Sequence, residues 1–493
     1  MSEFFREITG SLRALLSDRE VVFDPGVISS YRVSNPIIQN GRLPGCVVKP
    51  GEVSRLQALV GFANEKGLGL VPVSSGAPHG KGGTLCAQEH AIVDLSLWKK
   101  IDLIDRRNRV CRIEPGVTYG ELLAALKPQG MTVSMPLAPR SEKSVLAAVM
   151  DREPTTWPNK QWDAGDPVGS TEVVFGTGDV FRTGAAGGPG SIEKQRSSGG
   201  AQKAPMGPSQ TDFHRLVQGA QGSIGIVNWI TIRCEVMPTR QEPRLVGAEQ
   251  IEELIPFVYQ VQRPWLGEHS FILDRNAAAL LMDQGQPGAF DRIRGSLPRF
   301  VCLQNIAGFE RLPRERVAYQ IQDLEARAAN NGLSLVESLG QLRARDLLAA
   351  ATAPGGERDW RQGRTGNCLS LFFLTTLDRA PGFIETFEEL LRKHQLYRTD
   401  YGIYLQPLVQ NHCCHVEFLF PFESDGAQSP DQLRGFEAEA VPALAEQGAF
   451  FSRPYGAAAQ EAFTRNQLNL RVLRKVKKIF DPHGVLNPGK FGL

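Results

Sequence analysis

The segment from Pro44 to Gly83 restricts the possible folds most. It reads as a strand, CVVKP, an amphipathic helix, VSRLQALVGFANEKG, and a second strand, LGLVPV, which enters the turn PVSSGAPHGKGG at residues 72–83. The apolar residues of the middle part have helical spacing, and Gly67 stands where a helix C-cap belongs. A further strand, AIVDLSL, and a charged hairpin, KKIDLIDRRNR, follow. The pattern predicts a small mixed α+β subdomain.

Length and charge set limits on the class of protein. A chain of 493 residues is too long for one core and favours two large domains. The 55 Lys and Arg residues nearly balance 53 Asp and Glu residues, and no basic stripe interleaved with aromatics is present, so nucleic acid is not an expected partner. No apolar run approaches the roughly 20 residues that span a bilayer, and the first residues do not read as a signal peptide. We expect a cytoplasmic location.

The eight cysteines are scattered and contain no C-x-x-C pair, so no zinc ribbon or iron–sulfur site is predicted. We expect reduced, mostly buried thiols. Cys413 and Cys414 are adjacent, and because neighbouring residues on a strand point to opposite faces, a disulfide between them would be strained.

The rest of the chain alternates helical and strand patterns. A helix is predicted in EPGVTYGELLAALKPQG, a hairpin over Glu172–Thr183, and a strand over Ile224–Val236. Residues 184–212, rich in Gly, Ser, Pro and Gln, are expected to form a long surface loop. Residues 241–445 mix helical patterns with β-rich runs, which suits a sheet covered by helices, and the tail carries a basic helix, NQLNLRVLRKVKKIF, that ends at DPHG.

Five blocks in this order resemble one flavoprotein superfamily. They are KPGEVSRLQALVGFANEKGLGLVPVSSG, EPGVTYGELLAALKPQG, GSTEVVFGTGDVFRTG, FHRLVQGAQGSIGIVNWITI and IFDPHGVLNPGK. Together they are similar to the superfamily of vanillyl-alcohol oxidase and p-cresol methylhydroxylase, which includes D-lactate and glycolate dehydrogenase flavoproteins. The resemblance implies an α+β fold with a two-subdomain FAD-binding domain over 1–240, a substrate-cap domain over 241–445, and a C-terminal segment over 446–493 that returns to the FAD domain.

The resemblance also implies which residues hold FAD. Small residues in the turn Ser74–Gly80 allow backbone N–H groups to approach the pyrophosphate, and Gly219, Gly222 and Gly225 allow a tight chain path beside the cofactor. Because Pro78, not His79, stands at the position where several relatives link FAD through histidine, we expect FAD to be non-covalent. The full set of expected FAD-binding residues is Ser74, Ser75, Gly76, Ala77, Pro78, His79, Gly80, Pro139, Ser144, Val145, Asp166, Gly169, Gly222, Gly225, Ile226, Val227, Asn487 and Lys490.

Four residues are candidates for the chemistry. Arg453 matches the arginine of a Tyr-Arg pair in phenol-oxidising members, although Ser452 precedes it and Tyr455 lies two residues later. Arg453 is expected to bind a phenolate or carboxylate, or to stabilise reduced flavin; the alternative is an arginine in a surface loop. His415 and Glu417 share one face of a predicted strand and are candidates for the substrate pocket or a proton relay. The GDGN-type motif of metal-using members is missing, so no metal is expected.

The implied reaction is dehydrogenation of a small organic alcohol, phenol or hydroxy acid by hydride transfer to flavin N5. Among these substrates, a phenol-like one is slightly favoured. One alternative is a D-2-hydroxy-acid dehydrogenase that passes electrons to a protein or quinone. Another is a flavin-carrying electron-transfer subunit that works only in a complex. The electron acceptor, whether oxygen, quinone or a redox protein, and the oligomeric state are left open by the sequence.

Overall fold

The computed structural model describes residues 2–38, 42–163, 165–188, 190–198, 204–207, 213–283, 287–363, 365–396, 400–410, 412–423 and 429–492. The α-helices are α1 Glu3–Leu15, α2 Pro25–Ser30, α3 Val53–Lys66, α4 Tyr119–Leu126, α5 Val145–Met150, α6 Ile192–Ser197, α7 His214–Val217, α8 Ile251–Gln262, α9 Arg275–Met282, α10 Ala289–Ser296, α11 Pro313–Asn330, α12 Ala344–Ala351, α13 Ala380–Lys393, α14 Pro430–Glu446, α15 Gly456–Thr464 and α16 Gln467–Phe480. The strands are β1 Val21–Val22, β2 Cys46–Val48, β3 Gly69–Val73, β4 His90–Asp94, β5 Ile101–Asp105, β6 Val110–Ile113, β7 Met131–Thr132, β8 Val168–Phe175, β9 Val180–Arg182, β10 Gly225–Arg233, β11 Glu235–Val236, β12 Arg240–Ala248, β13 Ser270–Asp274, β14 Phe300–Gly308, β15 Leu335–Val336, β16 Ser338–Leu339, β17 Leu342–Arg343, β18 Asn367–Thr375, β19 Gly402–Leu408 and β20 Cys413–Phe422.

A four-stranded sheet carries the Gly-rich turn, in the order β1-β2-β4-β3. The predicted β-α-β unit is confirmed as β2 (Cys46–Val48), α3 (Val53–Lys66) and β3 (Gly69–Val73). Its two strands are not neighbours, because β4 (His90–Asp94) lies between them and runs parallel to both. Gly67 ends α3 with a φ of 67°, in the left-handed region that glycine tolerates. The turn therefore leaves the carboxyl end of β3.

A five-stranded antiparallel sheet forms the second half of this region, in the order β5-β6-β10-β8-β9. Both predicted hairpins are present in it, the charged one as β5 and β6 and the Gly-rich one as β8 and β9. The long strand β10 (Gly225–Arg233) pairs with both β6 and β8 at the centre of the sheet. Its first residues thus lie at the sheet end that faces the turn.

A seven-stranded sheet forms the middle of the chain, in the order β15-β12-β14-β13-β19-β20-β18. Helices α8, α11, α13 and α14 pack on one face through residues such as Phe257 and Phe436. Helices α9 and α12 cover the other face, where Leu137 and Ala138 of the first half join the same core. Strand β18 (Asn367–Thr375) alternates buried and half-buried residues, so its two faces have different surroundings.

The C-terminal tail returns to the first sheet. In α16, the Lys477 ammonium is buried and donates hydrogen bonds to the carbonyls of Ser223 and Leu486 and to Asp481, at 2.7, 2.9 and 2.7 Å. Beyond it, the backbone of Asn487 bonds to Leu70 in β3. This connection brings Asn487 next to the Gly-rich turn.

The expectation of a long loop at 184–212 was wrong for its described part. Residues 184–187 form a 3₁₀ turn, and helix α6 follows, with Ala186 and Ile192 buried against Trp229. These apolar contacts were hidden by the Gly- and Ser-rich composition. Residues 189, 199–203 and 208–212 lie outside the described residues. None of the helices in the described part of the chain is both long and apolar enough to cross a membrane.

Candidate active site

A cleft of about 380 Å³ lies where the first two sheets, the seven-stranded sheet and the tail meet. Clefts at such junctions are the usual place for a cofactor and its substrate. Of the residues expected from the sequence, those on its wall are Ser74, Ser75, Pro78, His79, Gly80, Pro139, Gly222, Gly225, Ile226, Val227, Glu417, Arg453, Tyr455 and Asn487.

The Gly-rich turn presents free backbone donors to this cleft. Arg140 donates hydrogen bonds to the carbonyls of Gly76 and Ala77, which fixes the outer side of the turn. No described residue accepts a hydrogen bond from the backbone N–H groups of Ser74, Ser75 or Gly80, all three of which border the cleft. A run of unpartnered N–H groups is suited to binding an anion such as a pyrophosphate.

Two buried oxygen atoms on the cleft wall also lack a partner among the described residues. They are Thr84 Oγ1 and Asn487 Oδ1. Beside them Gly222 has a φ of 72°, and a Cβ there would lie 2.4 Å from Pro72 Cγ, so the backbone path requires glycine. Because buried polar groups normally pair, these atoms and the free N–H groups fit a cofactor that carries both donors and acceptors, as FAD does.

His79 stands on the cleft wall as a neutral imidazole. Its ring stacks on Tyr31 with centroids 5.5 Å apart, and the Tyr31 hydroxyl donates to Asp94 at 2.7 Å. Burial, with a smaller contribution from Arg140, lowers the pKa of His79 to about 4. The ring is therefore uncharged at neutral pH.

Glu417 reaches the cleft from β20 and is held by three partners. Arg361 donates to both of its oxygens, at 2.8 and 3.0 Å, and Ser370 and His415 complete the set. Burial opposes ionisation of Glu417, but Arg361 and His415 outweigh it and hold the pKa of this carboxyl well below its usual range. A carboxylate whose oxygens are all engaged is a poor base, so Glu417 acts here as an anchor for the surrounding groups.

His415 lies behind Glu417, off the cleft wall. Its Nε2 is 3.3 Å from Glu417 Oε2, and its ring contacts Phe372 and Tyr404. Burial lowers the pKa of His415 to about 4, which keeps it neutral. His412 is exposed, and no group of three potential metal ligands is found in the described part of the chain.

Arg453 is a buried cation with little to bind inside the protein. Its nearest carboxylate is Asp151, with Nη1 3.7 Å from Oδ2, and no described residue accepts a hydrogen bond from the guanidinium. The guanidinium stands over the ring of Phe372, 4.4 Å from its centroid. Tyr455 donates to the other oxygen of Asp151, at 2.9 Å, and burial together with Asp151 raises the pKa of Tyr455 well above its ordinary value.

Lys81 faces Arg453 from the end of the Gly-rich turn. Its side chain is 46% exposed and borders the cleft, and its ammonium is 3.7 Å from Glu153. Glu153 is more tightly bound to Lys143, at 2.6 Å. Burial disfavours the charged form of Glu153, but Lys143, Lys81 and Arg453 outweigh it and lower the pKa of this carboxyl.

Comparison with known proteins agrees with this geometry. The family model for the FAD binding domain matches residues 44–184, and that for the C-terminal domain of FAD linked oxidases matches residues 305–491. The chain belongs to the FAD-linked oxidase family. It is an FAD-dependent oxidoreductase, and the expected α+β architecture is confirmed.

Solved structures match this FAD-linked oxidase over its whole length. A 4-ethylphenol oxidase from Gulosibacter chungangensis superposes with a TM-score of 0.83 at 19% identity, covering 100% of this chain and 98% of the other. A p-cresol methylhydroxylase gives the same TM-score and coverage at 18% identity. At these identities the likeness concerns the fold.

Two relatives by sequence differ in how much of the chain they match. The D-2-hydroxyglutarate dehydrogenase of Stutzerimonas stutzeri (strain A1501) is 20% identical over 456 residues, which are 91% of this chain and 90% of the relative. The 4-cresol dehydrogenase [hydroxylating] flavoprotein subunit of Pseudomonas putida is 28% identical over 193 residues, which are 38% of this chain and 36% of that subunit.

Some residues expected to touch FAD lie off the cleft wall of this FAD-linked oxidase. Asp166 accepts a hydrogen bond from the backbone of Trp162 and pairs with Arg233, while Lys490 donates to the carbonyl of Gly82 at 2.9 Å. Ser144 caps helix α5. The others in this group are Gly76, Ala77, Val145 and Gly169.

Seven charged residues of the described cleft wall were not expected from the sequence, namely Lys81, Arg140, Lys143, Asp151, Glu153, Asp359 and Arg361. Lys81 directly follows the turn at 74–80, and Asp151 and Glu153 follow helix α5 in the tripeptide DRE. For Asp151 and Glu153, the available sequence signal was the dense group of charges that follows a buried helix. Arg361 lies in a short 3₁₀ turn with no pattern of its own, and only its contact with Glu417 identifies it.

Proposed function

We propose that this protein dehydrogenates a small organic alcohol, phenol or hydroxy acid in the cleft. The observation that carries the proposal is that one cleft joins the free N–H groups of the turn at 74–80 to the buried charges Arg453 and Asp151. When bound, FAD supplies the hydride acceptor for the substrate carbon. The chain's own residues then have to bind the substrate, orient it and take its proton.

Arg453 binds the anionic or developing anionic oxygen of the substrate. An arginine buried with only a 3.7 Å ion pair keeps its N–H donors available, and a charged hydrogen bond formed away from water is strong. Phe372 packs beneath the guanidinium, restricts its movement and stabilises its charge through a cation–π contact.

Asp151 takes the proton of the substrate hydroxyl. Its Oδ1 is held by Tyr455, whereas no described residue donates a hydrogen bond to its Oδ2, and the residue borders the cleft. Tyr455 keeps its own proton because its pKa is raised, so it orients Asp151 rather than replacing it. Glu417, with both oxygens occupied, is a positioning residue.

The names of the relatives support both substrate classes. The 4-ethylphenol oxidase and p-cresol methylhydroxylase are named for phenols, and D-2-hydroxyglutarate dehydrogenase and the glycolate oxidase subunit GlcD of Bacillus subtilis (strain 168) for hydroxy acids. Two relatives are named as subunits, which keeps a role inside a complex as the rival proposal.

Anaerobic mixing of the purified yellow protein with each substrate class tests the proposal. We expect 4-methylphenol, 4-hydroxybenzyl alcohol, D-lactate, glycolate or D-2-hydroxyglutarate to bleach the blue absorption band of the flavin. Asp151→Asn should slow this reduction by roughly 10²-fold, within the usual range for loss of a catalytic base. Asp18→Asn, at an exposed carboxylate far along the chain, is the control. No bleaching by any of the five would contradict the proposal, and bleaching only in the presence of copurified subunits would favour the rival.

A further inference from the structure

Two cations converge on one side of the cleft. Lys81 Nζ lies 5.3 Å from the centroid of the Phe372 ring, and Arg453 Cζ lies 4.4 Å from the same centroid. Both residues border the cleft, although one comes from the Gly-rich turn and the other from the segment before α15. Like charges grouped around one ring repel each other, so an anion that enters the cleft beside both of them is stabilised.

Each cation has one ion-pair partner, but neither partner accepts a hydrogen bond from it. Lys81 is 3.7 Å from Glu153 and Arg453 is 3.7 Å from Asp151, both beyond hydrogen-bond distance. Glu153 is engaged by Lys143 at 2.6 Å, and Asp151 by the Tyr455 hydroxyl at 2.9 Å. None of the described residues accepts a hydrogen bond from the Lys81 ammonium. The group therefore has three cations for two carboxylates, and the excess charge points into the cleft.

We infer that Lys81 and Arg453 form a two-cation clamp for a carboxylate of the substrate, which makes Lys81 the residue that selects organic acids over phenols. This inference deepens the proposed function and rests on it. A carboxylate has two oxygens and a full negative charge, so one oxygen meets the planar guanidinium and the other the ammonium. A neutral phenol has one oxygen and gives no charge to either cation.

The lean towards a phenol-like substrate is thereby reversed. That preference was based on the Arg453 segment, which either class of substrate satisfies, and on the missing GDGN-type motif. Lys81 adds a second positive charge opposite Arg453, and an ammonium in this place favours an acid. Asp151 lies next to Arg453 on the cleft wall, so a hydroxyl on the carbon beside the clamped carboxylate comes near its proton acceptor.

Binding of two unreactive probes to the FAD-loaded protein tests the clamp without relying on turnover. Benzoate carries a carboxylate and phenol does not, and both perturb the visible spectrum of a flavin when they bind beside it. We expect benzoate to bind at least 10-fold more tightly than phenol. Lys81→Met should weaken benzoate 10- to 100-fold and change phenol less than threefold, whereas Lys81→Arg should retain benzoate binding within about fivefold. Lys66→Met, at the exposed end of α3, is the matched control.

Equal affinity for benzoate and phenol, or unchanged benzoate binding in Lys81→Met, would overturn the clamp. If Lys81→Met loses FAD or has a lower melting temperature, Glu153→Gln provides a second test. Removing the carboxylate that competes for Lys81 should tighten benzoate binding. Weaker or equal benzoate binding in Glu153→Gln would contradict the clamp. The two proposals fail separately. If benzoate binding depends on Lys81 but no substrate reduces the flavin, the proposed reaction is contradicted and the clamp is not. If a substrate reduces the flavin but benzoate binding does not depend on Lys81, the clamp is contradicted and the proposed reaction is not.

Discussion

Arg361 holds Glu417 by two parallel hydrogen bonds, from Nε to Oε1 at 2.8 Å and from Nη2 to Oε2 at 3.0 Å. Both side chains are largely buried, and the guanidinium also lies 4.8 Å from the ring centroid of Trp360 and pairs with Asp359. A pair of this geometry is strong only while it is complete, because removing one partner leaves a buried charge alone. The pair joins the 3₁₀ turn at 360–362 to strand β20 beside the cleft.

Arg361→Met should therefore destabilise the protein by about 3–5 kcal/mol. Arg361→Met combined with Glu417→Leu should recover most of that loss, since no charge is left buried. In the single variant, burial without Arg361 raises the folded pKa of Glu417 above its unfolded value. Stability should then improve as the pH falls through that raised pKa. Denaturant unfolding at pH 5 and pH 8 measures both effects, and equal stability of the single and double variants would contradict them.

Arg453 is expected to act on the chemistry rather than on folding. Arg453→Ala should lower the rate of flavin reduction by roughly 10²–10³-fold, the usual range for removing one electrostatic donor. Arg453→Lys should recover part of the rate, because it keeps the charge but loses the planar fork. FAD content and melting temperature should change little. Stopped-flow reduction compares the three proteins, and a full rate in Arg453→Ala would assign the residue to structure.

As the pH rises, the affinity for benzoate should begin to fall at a lower pH than it would if an exposed lysine bound the carboxylate. Burial lowers the pKa of Lys81, so its positive charge is lost below the roughly 10.4 of an exposed lysine. Lys81→Arg should hold its affinity across the range, because arginine stays protonated. Dissociation constants from pH 6.5 to 9.5 provide the measurement, and parallel profiles would count against Lys81 as the titrating group. The charged groups that face Lys81 are Glu153, Arg453, Lys143 and Asp151.

FAD is expected to leave the polypeptide when the protein is denatured. His79 stacks on Tyr31 as a neutral ring, and Pro78 precedes it at the place where the resemblance puts the linking residue. Acid precipitation should release one flavin per chain into the supernatant. His79→Ala should still yield yellow protein, with weaker FAD retention. Flavin absorbance remaining in the washed pellet would establish a covalent link and contradict this prediction.

Much of the fold was predictable because its signals are local. The helix α3 with its Gly67 cap, the hairpin of β8 and β9, and the basic helix α16 follow from residue spacing and turn chemistry within short windows. The order of the strands was not predictable in this way. That β4 lies between β2 and β3 depends on which strands meet across the sheet. The short helix α6 was missed because Trp229, distant in sequence, covers Ile192.

The residues of the site divide in the same way, into those predicted from local sequence and those that depend on tertiary packing. By itself, the sequence predicted that FAD binds at the turn 74–80 and beside the glycines at the start of β10, and that Arg453 lies at the site, since each lies in a contiguous motif. Only the tertiary structure decided that Arg361 binds Glu417 and that His415 stands behind Glu417. It also decided that Lys81 and Arg453 both contact the ring of Phe372. These pairs are separated by up to several hundred residues along the chain. Their charges act through distances of a few ångströms, and only the packing of the three sheets and the tail sets those distances.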